Sequence, residues 1–229
     1  MGKIVAIGGG FGGADWENLV DHIMALSGKK CPHVLSIPTA SFDNTDRGVM
    51  ETFFNSGCTV DALYLTYGCL TEKAIEEKIE KADIIFVSGG NLKFLVDTWK
   101  TTKTDVYLKK AYEKGTVLCG SSSGSMCWFK EGYDDCGKAH EFMFYEALGL
   151  LPYVNSPHFE SGDWGSFAEA VKSRSLSGIA CENGAAVCFI DDKNYILTDE
   201  SNGRAFFFDK EKNFEQINLA ENEDLLKTL

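Results

Sequence analysis

Hydrophobic positions follow two alternating rhythms along the chain. Short, almost wholly apolar runs, KIVAIGG (3–9), HVLSIPT (33–39), TVDALYLTY (59–67), DIIFVSGG (83–90) and TVLCG (116–120), are separated by stretches in which apolar residues recur at helical spacing. Unbroken aliphatic and β-branched runs bounded by glycine predict strands buried on both faces. Trp16, Leu19, Val20, Ile23 and Met24 predict a helix behind the first strand, and a second helix is expected from about Thr45 to Asn55. LTEKAIEEKIEKA (70–82) predicts an amphipathic helix with a Thr N-cap and a Glu in its first turn. Strand and helix in this alternation predict a doubly wound α/β fold, a mostly parallel sheet with helices on both faces and ligands beyond the carboxyl ends of its strands.

The last third has a different rhythm. After a helix-like GSFAEAVKSRS (165–175) come GIACE (178–182), AAVCFID (185–191), NYILTD (194–199) and RAFFFD (204–209), with turn residues between them. These predict antiparallel strands extending the same sheet. No linker or internal repeat interrupts the pattern, so residues 1–229 are expected to form one domain.

Composition narrows the function classes. A net charge of −12 disfavours nucleic acid and anionic membranes as partners. No stretch approaches the length of a membrane-spanning helix, and the apolar run after Met1 is too short for a signal peptide. The eight cysteines are scattered, several in apolar runs and none in a metal-ligand spacing, which predicts free thiols in a reducing cytoplasm and no metal or other cofactor. Small molecules, peptides and a second copy of the chain remain as partners.

Three glycine-rich segments close predicted strands. GGGFGG (8–13) contains G-x-G-x-x-G as Gly8, Gly10 and Gly13, but the second strand ends Ile37-Pro38-Thr39-Ala40 without the acidic residue of a dinucleotide site. A tight turn lining a pocket is the better reading of it. In GSSSGSMCWF the frame G-x-S-x-G fits once, on Gly120, Ser122 and Gly124, and singles out Ser122 as a nucleophile at a strained strand-to-helix corner. Of the four histidines, His22 falls in the first helix, His33 opens a strand and His140 lies in an irregular polar stretch. His158, in SPHF, follows a run that would deliver it to the catalytic edge as a base. Glu182 is the first choice for the acid that orients this imidazole, with Asp134 and Asp135, expected in the loop after the serine helix, as alternatives. The amide of Ser123 and the Gly89-Gly90 turn are the expected oxyanion donors, and Gly10, Asn91 and Phe159 the expected substrate contacts.

VSGGNLKFLVDTW resembles the GGNT-F-L segment of peptidase family S51, GSSSGSMCWF its G-x-S-A-G segment and SPHF its histidine segment; the family includes dipeptidase E and cyanophycinase. The resemblance implies a fold like that of class I glutamine amidotransferases and a metal-independent serine hydrolase with Ser122 as nucleophile, His158 as base and the Gly89-Gly90 turn with the Ser123 amide as oxyanion site. Two positions depart from the family pattern. Ser123 stands where a small residue such as alanine is usual. The aspartyl preference of dipeptidase E calls for a cation near the site, whereas FESGDWGSF after His158 supplies Glu160 and Asp163 and no Arg or Lys before Lys172; Arg47 and Lys93 are the remaining candidates.

The expected function is therefore hydrolysis of dipeptides or short peptides through an acyl-enzyme. Two readings stand beside it: a nucleotide-binding protein using Gly8 to Gly13, and a catalytically silent binding module on the same fold. A direct Ser122–His158 hydrogen bond would separate the hydrolase from the silent module.

Overall fold

The computed structural model describes residues 2–191 and 193–229. The five apolar runs form strands β1 (Lys3–Ile7), β2 (His33–Ile37), β3 (Thr59–Ala62), β4 (Ile84–Val87) and β5 (Val117–Ser121). They pair in parallel in the order β1-β5-β4-β2-β3. Neighbouring residues enter opposite cores, as the two-residue period of a strand requires: Leu35, Ile85 and Leu118 face one side, Val34, Ile84 and Val117 the other. Helices α1 (Gly13–Leu26) and α2 (Arg47–Asn55) cover the second face with Leu19, Val20, Ile23 and Phe53. Helices α3 (Glu72–Lys81), α4 (Leu92–Thr102) and α5 (Thr104–Glu113) cover the first with Ile75, Ile79, Leu95, Trp99 and Leu108. Thr71 caps α3 by accepting from the Ala74 amide at 3.2 Å, as its sequence predicts.

The later strands do not all join this sheet. After the one-turn helix α6 (Ser123–Met126) come β6 (Phe129–Asp134), β7 (Met143–Glu146), β8 (Leu151–Ser156), a short helix α7 (Phe167–Ala170), β9 (Gly178–Cys181), β10 (Ala185–Ile190), β11 (Lys193–Thr198), β12 (Ala205–Asp209) and β13 (Glu215–Asn218). Only β10 and β11 extend the first sheet, antiparallel beside β1. β9 and β12 belong to a second, six-stranded sheet in the order β13-β12-β9-β8-β6-β7. The expected single sheet is thus corrected to two. The reason is burial: Ile179, Cys181, Ala205 and Phe207 of the second sheet share one apolar cluster with Val187 and Phe189 of the first. The helix expected over 165–175 is broken into 3₁₀ turns around α7, because Phe167 and Val171 are drawn into a separate cluster with Phe159, Phe206 and Phe208.

Two side chains tie the layers together. Phe129 is fully buried and meets the Phe189 ring edge-on, with centroids 6.0 Å apart, across the two sheets. Asp134, expected in a loop, ends β6 and is buried; its Oδ2 accepts from the Leu92 amide at 2.8 Å, in the first turn of α4. Burial raises its carboxyl to about 7, against the opposing pull of that amide, and neighbouring Asp135 adds to the rise.

Phe129→Ala should cost about 3–5 kcal/mol in urea unfolding, whereas Phe54→Ala, on the exposed side of α2, should stay within about 0.5 kcal/mol. The Asp134 carboxyl titrates higher in the folded chain than the roughly 3.9 of an unfolded aspartate. Its contribution is therefore complete below that unfolded value and is lost as pH rises through about 7. Urea midpoints from pH 4 to pH 8 should show this fall in the wild type, and Asp134→Asn, which keeps the acceptor for Leu92, should remove that part of the slope.

Candidate active site

The site is assembled on the carboxyl end of β1. Three successive carbonyls there each take an amide from a different segment: Ile7 from Ser122 at 3.1 Å, Gly8 from His158 at 3.2 Å and Gly9 from Gly184 at 2.7 Å. The glycines are required by what lies against them. A Cβ on Gly8 would stand 2.2 Å from the Glu182 carbonyl oxygen, one on Gly9 2.4 Å from the His158 ring, and one on Gly10 2.7 Å from Asn183 Cβ. Gly8 to Gly10 thus serve close packing against the His158 and Asn183 loops, the alternative to a dinucleotide turn.

Ser122 sits between β5 and α6 at φ 58°, ψ −124°, a conformation that costs a non-glycine residue roughly 1–3 kcal/mol. The flanking glycines permit it. A Cβ on Gly120 would lie 2.3 Å from the Gly124 carbonyl oxygen, and one on Gly124 2.0 Å from that of Val87 at the end of β4. Ser125 fixes the corner from below, its Oγ donating to the Ser122 carbonyl at 2.8 Å. Ser122 is half-buried at the strand ends.

β8 delivers His158 beyond Ser156, also with positive φ (52°). The edge of the Trp164 ring system meets the imidazole with centroids 5.2 Å apart. Its Nδ1 lies 2.6 Å from Asn183 Oδ1, an acceptor that holds the proton on Nδ1 and leaves Nε2 free to act as a base. No hydrogen bond joins Ser122 Oγ to the imidazole among the described residues, so the direct bond expected of a hydrolase is not formed in this state.

The three carboxylates expected to orient His158 are elsewhere. Glu182 Oε1 and Oε2 accept from Arg204 at 2.6 and 3.0 Å, and Oε2 also accepts from the Arg204 amide at 2.8 Å. Burial pushes the Glu182 carboxyl up, but these bonds outweigh it and hold the group below its usual value. The second Arg204 partner is Glu160 at 2.6 Å, so the guanidinium staples the His158 loop to the end of β9. Asp134 is committed to Leu92, and Asp135 lies 3.7 Å from His140 Nδ1. Asn183 was missed because a triad is sought among acids; its place, directly after Glu182 at a strand end, was the available signal.

Gly89 approaches Ser122 closely: a Cβ there would be 2.9 Å from Ser122 Cβ and 3.4 Å from its Oγ. The amides of Gly89, Gly90 and Ser123 meet no acceptor among the described residues. The Ser123 hydroxyl, which departs from the family pattern, donates to the Gly90 carbonyl at 2.8 Å and ties the two turns together. Gly10 lines a cavity of about 320 Å³ beside Ser121 and Gly89. Of the other expected substrate contacts, Asn91 is half-buried and caps α4, its Oδ1 accepting from Phe94 at 2.7 Å, and Phe159 is corrected: it is buried against Phe206 and Phe208 because the loop turns its ring into the core. A larger hollow, about 610 Å³, opens at the opposite end of β1 near Gly2 and Leu229. Among the described residues no cluster of His, Cys, Asp and Glu is arranged to hold a metal.

The pattern of peptidase family S51 matches residues 4–202, which takes in every element of this site except Arg204. A Bacillus subtilis (strain 168) protein described as "Uncharacterized peptidase YgaJ" is 29% identical over 210 residues, 89% of this chain and 90% of that protein. Two solved structures share the fold at 18% identity. The crystal structure of a peptidase from an acI-B1 actinobacterium superposes with a TM-score of 0.74, covering 96% of this chain and 94% of the other. A putative peptidase E protein from Listeria monocytogenes EGD-e superposes with a TM-score of 0.67, covering 87% and 100%. With the two-sheet α/β fold and the match across most of its length, the chain belongs to peptidase family S51.

Proposed function

We propose that the protein is a serine peptidase of short peptides in which Ser122 is the nucleophile, His158 the base and Asn183 the group that orients the base. The observation that carries this reading is the strained Ser122 corner, hung from Ile7 one carbonyl away from the anchor of a histidine whose Nδ1 is already engaged. Strain of this kind persists only where surrounding packing enforces it, and it concentrates at sites of chemistry.

Ser122 Oγ attacks the scissile carbonyl carbon while its proton passes to His158 Nε2. The new C–O bond moves the carbonyl electron pair onto oxygen, where the amides of Gly89, Gly90 and Ser123 are available as donors. Collapse breaks the C–N bond, and the amine leaves with the proton from Nε2. Water, deprotonated by the same nitrogen, then cleaves the ester and restores Ser122. Asn183 fixes the tautomer without adding negative charge, so the imidazolium is stabilised less than beside a carboxylate.

The open Ser122–His158 contact favours the silent-module reading, but catalytic hydrogen bonds are often long in ligand-free enzymes and tighten around substrate. A cytoplasmic setting is supported by eight free thiols, of which Cys58, Cys119, Cys127, Cys181 and Cys188 are buried, and among the described residues no helix is long and apolar enough to cross a membrane.

A fluorophosphonate probe should label the wild type at Ser122, read by peptide mapping; label retained in Ser122→Ala would remove that serine, and an unlabelled wild type would favour the silent module. His158→Ala should lower kcat by about 10³-fold or more. Asn183→Ala should lower kcat about 10- to 100-fold, with Glu182→Gln milder, and the reverse order would return the orienting role to Glu182. Ser123→Ala, by freeing the Gly90 carbonyl, should cost about 1 kcal/mol of stability and reduce kcat more than it raises KM.

A further inference from the structure

We propose that the cavity beside Ser122 receives the residue on the acyl side of the scissile bond, and that it selects an uncharged apolar side chain with a free α-ammonium group over an acidic side chain. This rests on the peptidase reading above. The position follows from the direction of the reaction. The leaving amine must face His158, which protonates it, so the acyl portion lies on the other flank of the carbonyl. The cavity adjoins the nucleophile through Gly89 and Ser121, and the imidazole, which lies against Gly9 at its edge, is not among its walls. At about 320 Å³ it is of the size that holds a small ligand.

Its walls set the chemistry. Ile7, Phe11, Trp16, Val49 and Phe86 supply apolar surface, and Trp16 is braced edge-on against Phe86 with centroids 6.0 Å apart. The charged lining residue is Asp46, at the start of α2. One of its oxygens accepts from the Val49 amide at 3.2 Å, and the other is available to a substrate ammonium. A carboxylate side chain would enter an apolar pocket facing a like charge, with no cation to offset its desolvation. The neighbouring cations are committed or outside the cavity. Arg204 is held by Glu160 and Glu182, Lys93 by Asp97 and Tyr145, and exposed Arg47 is not among the lining residues.

The test is kcat/KM of the full chain for Phe-Leu, Leu-Leu, Asp-Leu, Glu-Leu and N-acetyl-Phe-Leu, run beside fluorophosphonate labelling. Phe-Leu and Leu-Leu should exceed Asp-Leu and Glu-Leu on the order of 100-fold, and acetylation should cost about tenfold or more. Asp46→Asn, which preserves a good helix cap, should raise KM for Phe-Leu and shrink the penalty for acetylation. Arg47→Ala should leave the order of substrates unchanged. Fastest cleavage of Asp-Leu with Ser122-dependent labelling overturns the pocket assignment and leaves the peptidase reading standing. Labelling without cleavage of any dipeptide also overturns the pocket assignment. Absence of both Ser122-dependent labelling and turnover removes the two readings together.

Discussion

Three consecutive main-chain carbonyls at the end of β1 determine where the site can be. Ile7, Gly8 and Gly9 accept amides from Ser122, His158 and Gly184, segments drawn from β5, β8 and the β9–β10 turn. In a parallel sheet these carbonyls are the last of the strand and have no ladder partner of their own beyond it. Each is satisfied by an amide of another segment, so Ser122, His158 and the turn carrying Asn183 are positioned by backbone hydrogen bonds as well as by side-chain contacts. The glycines that make this approach possible are therefore fixed by their neighbours: a methyl group at 8, 9 or 10 displaces the Glu182 carbonyl, the imidazole or Asn183.

A second layer of constraint lies behind the ladder. Arg204, immediately before β12, grips Glu160 of the His158 loop and Glu182 beside Asn183. Both carboxylates belong to segments that move the imidazole if they move. A guanidinium with a planar fork of donors can hold two such acceptors in fixed geometry, which an ammonium does less well. Glu182, expected to complete a triad, follows β9 beside the histidine loop but pairs with Arg204 and not with the imidazole. The carboxylate stabilises the frame, and the adjacent amide meets the ring.

What the sequence revealed follows the range of each physical cause. The G-x-S-x-G turn was legible because its constraint is local: two glycines, a strained serine and the end of a neighbouring strand. The five parallel strands were legible because a short unbroken apolar run between turn residues needs burial on both of its faces, which a strand inside a helix-covered sheet provides. The division of the last strands between two sheets was not, since β9, β10 and β12 carry similar patterns and only long-range packing of Phe207, Ile179 and Phe189 assigns them. Phe159 shows the same limit at one position. An aromatic residue next to His158 could face a ligand or the core, and the cluster with Phe206 and Phe208 decides for the core.

Charge distribution connects the frame to specificity. A chain with 34 acidic residues against 22 basic ones has few cations to spare near its site. Two of the candidates are used in holding structure, Arg204 on the histidine loop and Lys93 on α4 through Asp97, and Arg47 beside Asp46 is exposed. Had either been left unpaired, it could have met an anionic substrate group at little cost. Committed as they are, recruiting one would break an ion pair, and Arg204 is the more expensive of the two because its carboxylates belong to the segments that carry His158 and Asn183. The ion pairs of Arg204 thus hold the segments that carry His158 and Asn183, while Asp46 adds a negative charge to the lining of the cavity beside Ser121 and Gly89.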